Sequence, residues 1–133
     1  MKIDNSNAHI ISSKKAYIHD DVLETLMFER NKKEISLNMI DYSSCKRYTI
    51  VYKNVIGFFM TSCDFWGESS RILDFELVDS NDSIITSKLF KYKNDNGIVD
   101  SSLESYNDYI ETVITFVSGD KLEVACKCIV LEK

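Results

Sequence analysis

Apolar and polar side chains alternate at every second residue over most of the chain, a pattern that predicts half-buried β-strands. Ile35 and Leu37, for example, flank the polar Ser36. Residues 109–117 and 122–131 carry apolar side chains on both faces, which favours central positions in a sheet. Branched and aromatic residues are frequent, and such side chains pack well on a pleated surface. The pattern therefore predicts a protein built mainly from strands.

The segment 22–30 fits two structures. Its apolar residues lie at helical spacing after Asp20 or Asp21, and either aspartate would serve as an N-cap. The same segment also suits a strand with Leu26 and Phe28 directed inward, followed by a short polar turn. We favour the strand, because it forms a hairpin with the strand that follows.

Polar turn segments separate the predicted strands, and Gly119 supplies the positive φ that a tight reversal needs. The turns are Asn31–Lys33, Lys53–Asn54, Asn81–Asp82 and Ser118–Asp120. About eight strands without a convincing long helix predict an antiparallel β-sandwich or a strongly curved, barrel-like sheet. We expect residues 1–15 to form a polar N-terminal tail and residues 16–133 to form a single β domain.

One alternating strand, residues 73–78, has two chemically different faces. Leu73, Phe75 and Leu77 are predicted to form its apolar face, while Asp74 and Glu76 lie on the other. The strand is therefore expected to cover the core with one side and to expose acidic groups on the other.

Composition disfavours several classes of protein. The four glycines are not spaced as in a phosphate-binding loop. The polar start lacks the apolar core of a secretory signal, and no segment approaches the roughly 18 apolar residues of a membrane span. We therefore expect a cytoplasmic protein that does not bind membranes. The net charge is −5, which also disfavours nucleic-acid binding.

His19-Asp20-Asp21 is the one place where an imidazole and carboxylates are adjacent in sequence. A histidine paired with a carboxylate can act as a general base or bind a metal. Neighbouring residues of an extended strand point to opposite faces, however, so we do not expect these side chains to form a dyad. The sequence predicts a structural role for them at the start of the first strand.

The four cysteines are expected to be reduced thiols, since a chain of this length does not need disulfides to fold. Cys126 and Cys128 lie two residues apart in an apolar strand and are predicted to face the same side as core residues. A zinc site that adds Cys45, Cys63, His9 or His19 is the alternative, but the chain has neither C-x-x-C nor H-x-x-x-H spacing. We predict no metal, no cofactor and no catalytic residue, and hence a protein that is not an enzyme.

An acidic run without Lys or Arg extends from Asn94 to Asp120. Such a surface would steer a basic protein partner toward itself, or would simply keep the protein soluble. Trp66 is either a lid on the sheet or an exposed anchor of the kind enriched in binding hot spots. The candidate partner-binding residues are Trp66, Asp95, Asp100, Glu104 and Asp108.

Four segments, taken in order, resemble a group of small bacterial β proteins, the YxiG-like and polymorphic-toxin immunity type. The segments are His19-Asp20, Ile50 to Phe59, Trp66 to Ser70, and Tyr109 to Ile129 with Ser118-Gly119 at its turn. The resemblance implies no catalytic residue. It implies a non-enzymatic interaction protein of the immunity type, which would bind and block a toxin. The alternative is a small-ligand binding module with a pocket between its sheets.

Overall fold

The computed structural model describes residues 1–13, 15–61, 70–79, 82–95 and 108–133. Its strands form two antiparallel sheets, which confirms the predicted mainly β class and fits the β-sandwich. The described strands do not close into a barrel, so the sandwich is the correct one of the two predicted architectures.

Nine strands and two helices make up the described part of the chain. In chain order they are β1 (Lys2–Asp4), α1 (His9–Ser12), β2 (Val22–Glu29), β3 (Glu34–Ile40), β4 (Arg47–Lys53), β5 (Gly57–Met60), β6 (Ile72–Leu77), α2 (Ile85–Asp95), β7 (Ile110–Phe116), β8 (Lys121–Cys126) and β9 (Cys128–Glu132). The first sheet has the order β1-β9-β4-β3-β2 and the second the order β5-β8-β7-β6. Neither helix has the length and apolarity needed to cross a bilayer.

Large side chains fill the space between the sheets. Tyr52 and Ile50 of the first sheet are fully buried, as are Phe116, Ile114 and Leu122 of the second. These residues belong to one hydrophobic cluster that contains members of both sheets. Burial of this apolar surface is the main stabilising contribution to the sandwich.

The segment 22–29 is strand β2, as predicted, and pairs with β3 as a hairpin. Leu26 packs against the core, and Phe28 lies opposite the buried Ile35. The Phe28 ring remains partly exposed because β2 is the edge of its sheet. Its ring meets that of Phe58 edge to face, with 4.8 Å between the centroids.

The chain changes sheets between β8 and β9, so the single strand predicted over residues 122–131 is two strands. Lys127 stands at the change, and its backbone N–H donates to the Lys53 carbonyl at 3.1 Å. Cys126 is completely buried, whereas Cys128 is only half-buried. The prediction that the two thiols face the same side is wrong, because the two-residue period does not continue through the crossover.

Residues 1–15, predicted as a polar tail, contribute β1 and α1 to the fold. Ile3 lies opposite Ile129 of β9, and both are fully buried. Ile11 of α1 is also buried. Isolated isoleucines among polar neighbours do not produce an alternating pattern, which is why the sequence gives no strand signal here.

In β6, the predicted apolar face is wrong at Leu73. The register between β6 and β7 shifts between Ile72 and Asp74, as at a β-bulge. Ile72 and Phe75 therefore point into the core, and Leu73 is exposed. One extra residue at the bulge is enough to reverse the faces at this end of the strand.

Helix α2 was not predicted, and it begins at a contact with a distant strand. The carboxylate of Glu111 in β7 accepts the backbone N–H of Ile85 at 2.8 Å and the hydroxyl of Ser83. These bonds satisfy donors at the start of the helix. The helix then lies close over Gly57, where an added Cβ would be 2.5 Å from Ile85 Cγ2.

Glu111 has a second buried carboxyl beside it, that of Glu123. Val113 lies opposite Glu123 and Glu111 lies opposite Ala125, so the two glutamates are diagonal neighbours on one face of the sheet. Burial first, and then the charge and hydrogen bonding of Glu111, raise the pKa of Glu123. Proton retention by Glu123 removes the repulsion between the two carboxylates.

We predict that the free energy of unfolding falls as pH rises above the ordinary glutamate value of about 4.5. The folded chain holds the Glu123 proton more tightly than the unfolded chain does, so stability is lost as pH rises through the raised pKa. Glu123→Gln, whose amide remains a donor, should reduce this pH dependence and should be at least as stable as the parent at pH 8. Urea unfolding from pH 4 to 9 measures the pH dependence of the free energy of unfolding, and Glu132→Gln, at an exposed position, is the control. An unchanged pH profile in Glu123→Gln would contradict the account.

Candidate functional site

Asp21 lies immediately before β2, and it is a buried carboxylate with only 1% of its surface exposed. Three donors from different parts of the chain bind it: the backbone N–H of Tyr42 at 2.9 Å, the Tyr48 hydroxyl at 2.6 Å and Lys133 Nζ at 2.6 Å. Burial, and then the bond to Asp21, raise the pKa of Tyr48, so its hydroxyl remains a donor. A buried charge needs such compensation to remain in a folded protein.

The turn that follows β3 is ordered by a second aspartate, Asp41. Its Oδ1 accepts the Ser43 hydroxyl at 2.7 Å, the Ser43 N–H at 2.8 Å and the Ser44 N–H at 3.2 Å. These bonds, with the charge of Lys133 3.5 Å away, lower the pKa of Asp41 to about 2. The turn is therefore held on both sides of Tyr42, a residue that is 63% exposed.

The side chains of His19 and Asp20 do meet, contrary to the prediction from strand geometry. His19 Nδ1 lies 3.0 Å from Asp20 Oδ2, and Arg71 Nη2 lies 2.6 Å from Asp20 Oδ1. The chain is not extended at this point, because Asp20 has a φ of +70°. The bond to Arg71, and then that to His19, lower the pKa of Asp20. The backbone N–H of Asp20 donates to the Ile72 carbonyl at 2.8 Å, which fixes the pair beside β6.

Four exposed or half-exposed side chains converge around this network, and we call Tyr17, His19, Tyr42 and Arg71 the aromatic patch. The rings of Tyr17 and His19 stack with centroids 6.0 Å apart, and the guanidinium of Arg71 lies 5.4 Å from the centroid of the Tyr42 ring. Tyr17 is 58% exposed, although Lys133 Nζ donates a hydrogen bond to its backbone carbonyl at 3.0 Å. The patch thus combines exposed rings with a backbone that hydrogen bonds to Asp21 and Lys133 hold in place.

The chemistry of the patch suits recognition. Tyrosine and arginine are among the residues most enriched in binding hot spots, and rings on a rigid backbone lose little entropy when they are covered. Within the described ranges, no group of three or more His, Cys, Asp or Glu side chains is arranged to hold a metal ion. Cys45 is exposed, and Cys63 of the alternative zinc set lies outside the described residues.

The candidate partner-binding residues lie elsewhere. Asp95 is exposed at the last residue of α2, and Asp108 is exposed just before β7. Asp108 lines a surface hollow together with Lys2 and Lys127. The acidic run contains no lysine or arginine, but the fold brings these two lysines close to it. Trp66, Asp100 and Glu104 lie outside the described residues, and their role stays a prediction.

Two other acids of the run from Asn94 to Asp120 are buried and have structural partners. Glu111 binds the start of α2. Asp120 accepts the hydroxyl of Thr61 at 2.9 Å and that of Ser118 at 3.0 Å, which stabilises the turn between β7 and β8. The described part of the run is therefore not one continuous acidic surface.

We predict that Tyr48→Phe lowers the free energy of unfolding by about 1.5–3 kcal/mol, because the buried Asp21 carboxylate loses a donor. Tyr42→Phe is the matched control, since the Tyr42 hydroxyl makes no hydrogen bond with the described residues and only its backbone binds Asp21. Denaturant unfolding at neutral pH compares the two. Equal losses in both variants would show that the Tyr48 bond contributes nothing.

Comparison with known proteins leaves the chain without a family assignment. No protein-family model matches it, and no curated protein sequence matches it. The role of the chain is therefore argued from its geometry: Asp21, buried beneath the surface, fixes the backbone that carries the exposed Tyr42 ring, and Lys133 joins the Tyr17 segment to the same carboxylate.

Proposed function

We propose that this chain is a non-enzymatic interaction protein that binds another protein through the aromatic patch. The observation that carries the proposal is the exposure of Tyr17 and Tyr42 above a fully bonded, buried Asp21. A loop that is free to move must be ordered when a partner binds it, and this ordering lowers the affinity. Here that cost is reduced before the partner arrives, because Lys133 and Asp21 already hold the two segments.

The patch offers a partner two kinds of contact. The Tyr17 and Tyr42 rings supply apolar area, and Arg71 and His19 supply donors that lie next to the rings. Arg71 is already paired with Asp20, so covering it does not leave an isolated buried charge. Such a mixture of aromatic and paired charged groups fits the centre of a protein interface.

The partner class follows from the family resemblance and from the charge of the chain. The resemblance to immunity-type proteins favours a toxin encoded beside this gene. The net charge of −5 favours a partner with a basic surface, because opposite potentials speed association. We expect the complex to form in the cytoplasm, where the exposed Cys45 thiol would stay reduced.

The alternative of a ligand pocket between the sheets has less support. The facing residues Tyr52, Phe116 and Leu122 are completely buried in one cluster, and a ligand there would have to displace them. The alternative surface near Asp95 and Asp108 remains testable, because α2 also carries an exposed tyrosine, Tyr92.

We predict that the chain copurifies with the product of an adjacent gene and that Tyr17→Ala with Tyr42→Ala weakens the complex at least 30-fold. Loss of a hot-spot residue typically costs about 2 kcal/mol or more, which corresponds to this change in Kd. Tyr92→Ala is the matched control, because Tyr92 is 60% exposed and lies on α2. Titration of the purified partner measures Kd, and growth with the coexpressed partner tests protection from toxicity.

The outcomes separate the two surfaces. Weakening by the patch variants alone supports the proposed interface. Weakening by Tyr92→Ala or Asp95→Asn alone would move the interface to the end of α2 and contradict the patch. No complex with either neighbouring product, together with no growth protection, would contradict the immunity-type role.

A further inference from the structure

A cavity of about 450 Å³ lies where α1, the end of β6, the start of α2 and the start of β7 meet. It is within the size range of small-molecule sites. The apolar part of its lining includes Ala8, Leu77 and Ile110, and the polar part includes Thr86, Glu111 and Asp79. Its described lining contains carboxylates and hydroxyls but no Lys, Arg or His. This composition disfavours an anion and favours a cation.

Two buried polar groups of the cavity retain capacity for hydrogen bonds. Thr86 is only 4% exposed, and it lines the cavity with a hydroxyl that can both donate and accept. One oxygen of the Glu111 carboxylate accepts the Ile85 N–H and the other accepts the Ser83 hydroxyl, and a carboxylate oxygen can accept two bonds.

A second hollow, of about 510 Å³, shares Leu77, Val78 and Asp79 with the cavity. Its lining adds three more acids, Asp74, Glu76 and Asp82. Together the two spaces provide apolar surface with carboxylates at intervals along it. An extended molecule with separated positive charges and apolar segments between them matches that arrangement.

We propose that this cavity binds a linear polyamine, with one ammonium group donating to Glu111 and Thr86. The methylene chain contacts Ala8 and Leu77, and the remaining ammonium groups lie along the acidic hollow that shares Asp79. An ammonium group has three donors and no acceptor, which suits a lining of oxygens. The site is separate from the aromatic patch, so the inference does not depend on the proposed function.

Isothermal titration of the full chain with spermidine at 150 mM salt tests the site. The uncharged 1,8-octanediol, a chain of the same length, serves as the ligand control. Measurable binding of spermidine without binding of the diol is expected, since the carboxylates recognise charge. No binding of spermidine, or equal binding of the diol, would overturn the proposal.

Two variants locate the binding. Thr86→Val keeps the shape of the side chain and removes its hydroxyl, and it should weaken spermidine binding about three- to tenfold, the usual effect of one hydrogen bond. Ala8→Leu fills the cavity and should weaken binding more strongly. This second variant still tests the site if Thr86→Val folds poorly. Asp95→Asn, which removes an acid outside the cavity, should leave Kd unchanged. Weakening by Asp95→Asn without weakening by the cavity variants would show nonspecific attraction to an acidic protein and overturn the proposal.

Discussion

A carboxylate that is shielded from water must receive its hydrogen bonds from the protein, and the burial of Asp21 imposes this requirement on three separate segments. The donors come from the turn after β3, from β4 and from Lys133 beyond β9. If one donor is removed, part of a buried charge is left without a partner, which costs more than an ordinary surface bond. The positions of these segments are therefore coupled through a single side chain.

The same residue stands where the edges of the two sheets meet. The backbone of residues 20–23 pairs with residues 70–72: the Ile72 N–H donates to the Asp21 carbonyl at 2.8 Å, and Val22 forms a bridge with Arg71. The edge of the first sheet is thereby joined to β6 of the second. The Asp21 side chain connects this junction to the interior strand β4 through Tyr48. The aromatic patch lies at the junction, so its geometry is set by both sheets at once.

Local patterns predicted the strands, and long-range contacts account for what the sequence did not reveal. Alternation identified β3 and β7 correctly, because the side chains of a strand change faces at every residue. Helix α2 was missed because its start is bound by Glu111, 26 residues from Ile85. The crossover at Lys127 was missed because apolar residues continue on both sides of it.

The candidate site was only partly predictable. His19-Asp20-Asp21 was recognised as unusual, but its partners Tyr48 and Lys133 are 27 and 112 residues from Asp21. No spacing rule connects positions so far apart. One local signal was present in the sequence: an aspartate followed by two serines, in Asp41-Tyr42-Ser43-Ser44, is typical of a turn held by side-chain oxygens. That signal would have located Tyr42 in an ordered turn, but not its contact with Asp21.

The central claim is that buried Asp21 holds the exposed turn that carries Tyr42, and hydrogen exchange of the Tyr42 backbone amide tests it most directly. The measurement is made by NMR on the unmodified chain. The bond to Asp21 Oδ1 predicts that this amide exchanges as slowly as the amides paired between β3 and β4, although its side chain is exposed. Exchange at the rate of an unstructured peptide would contradict the account.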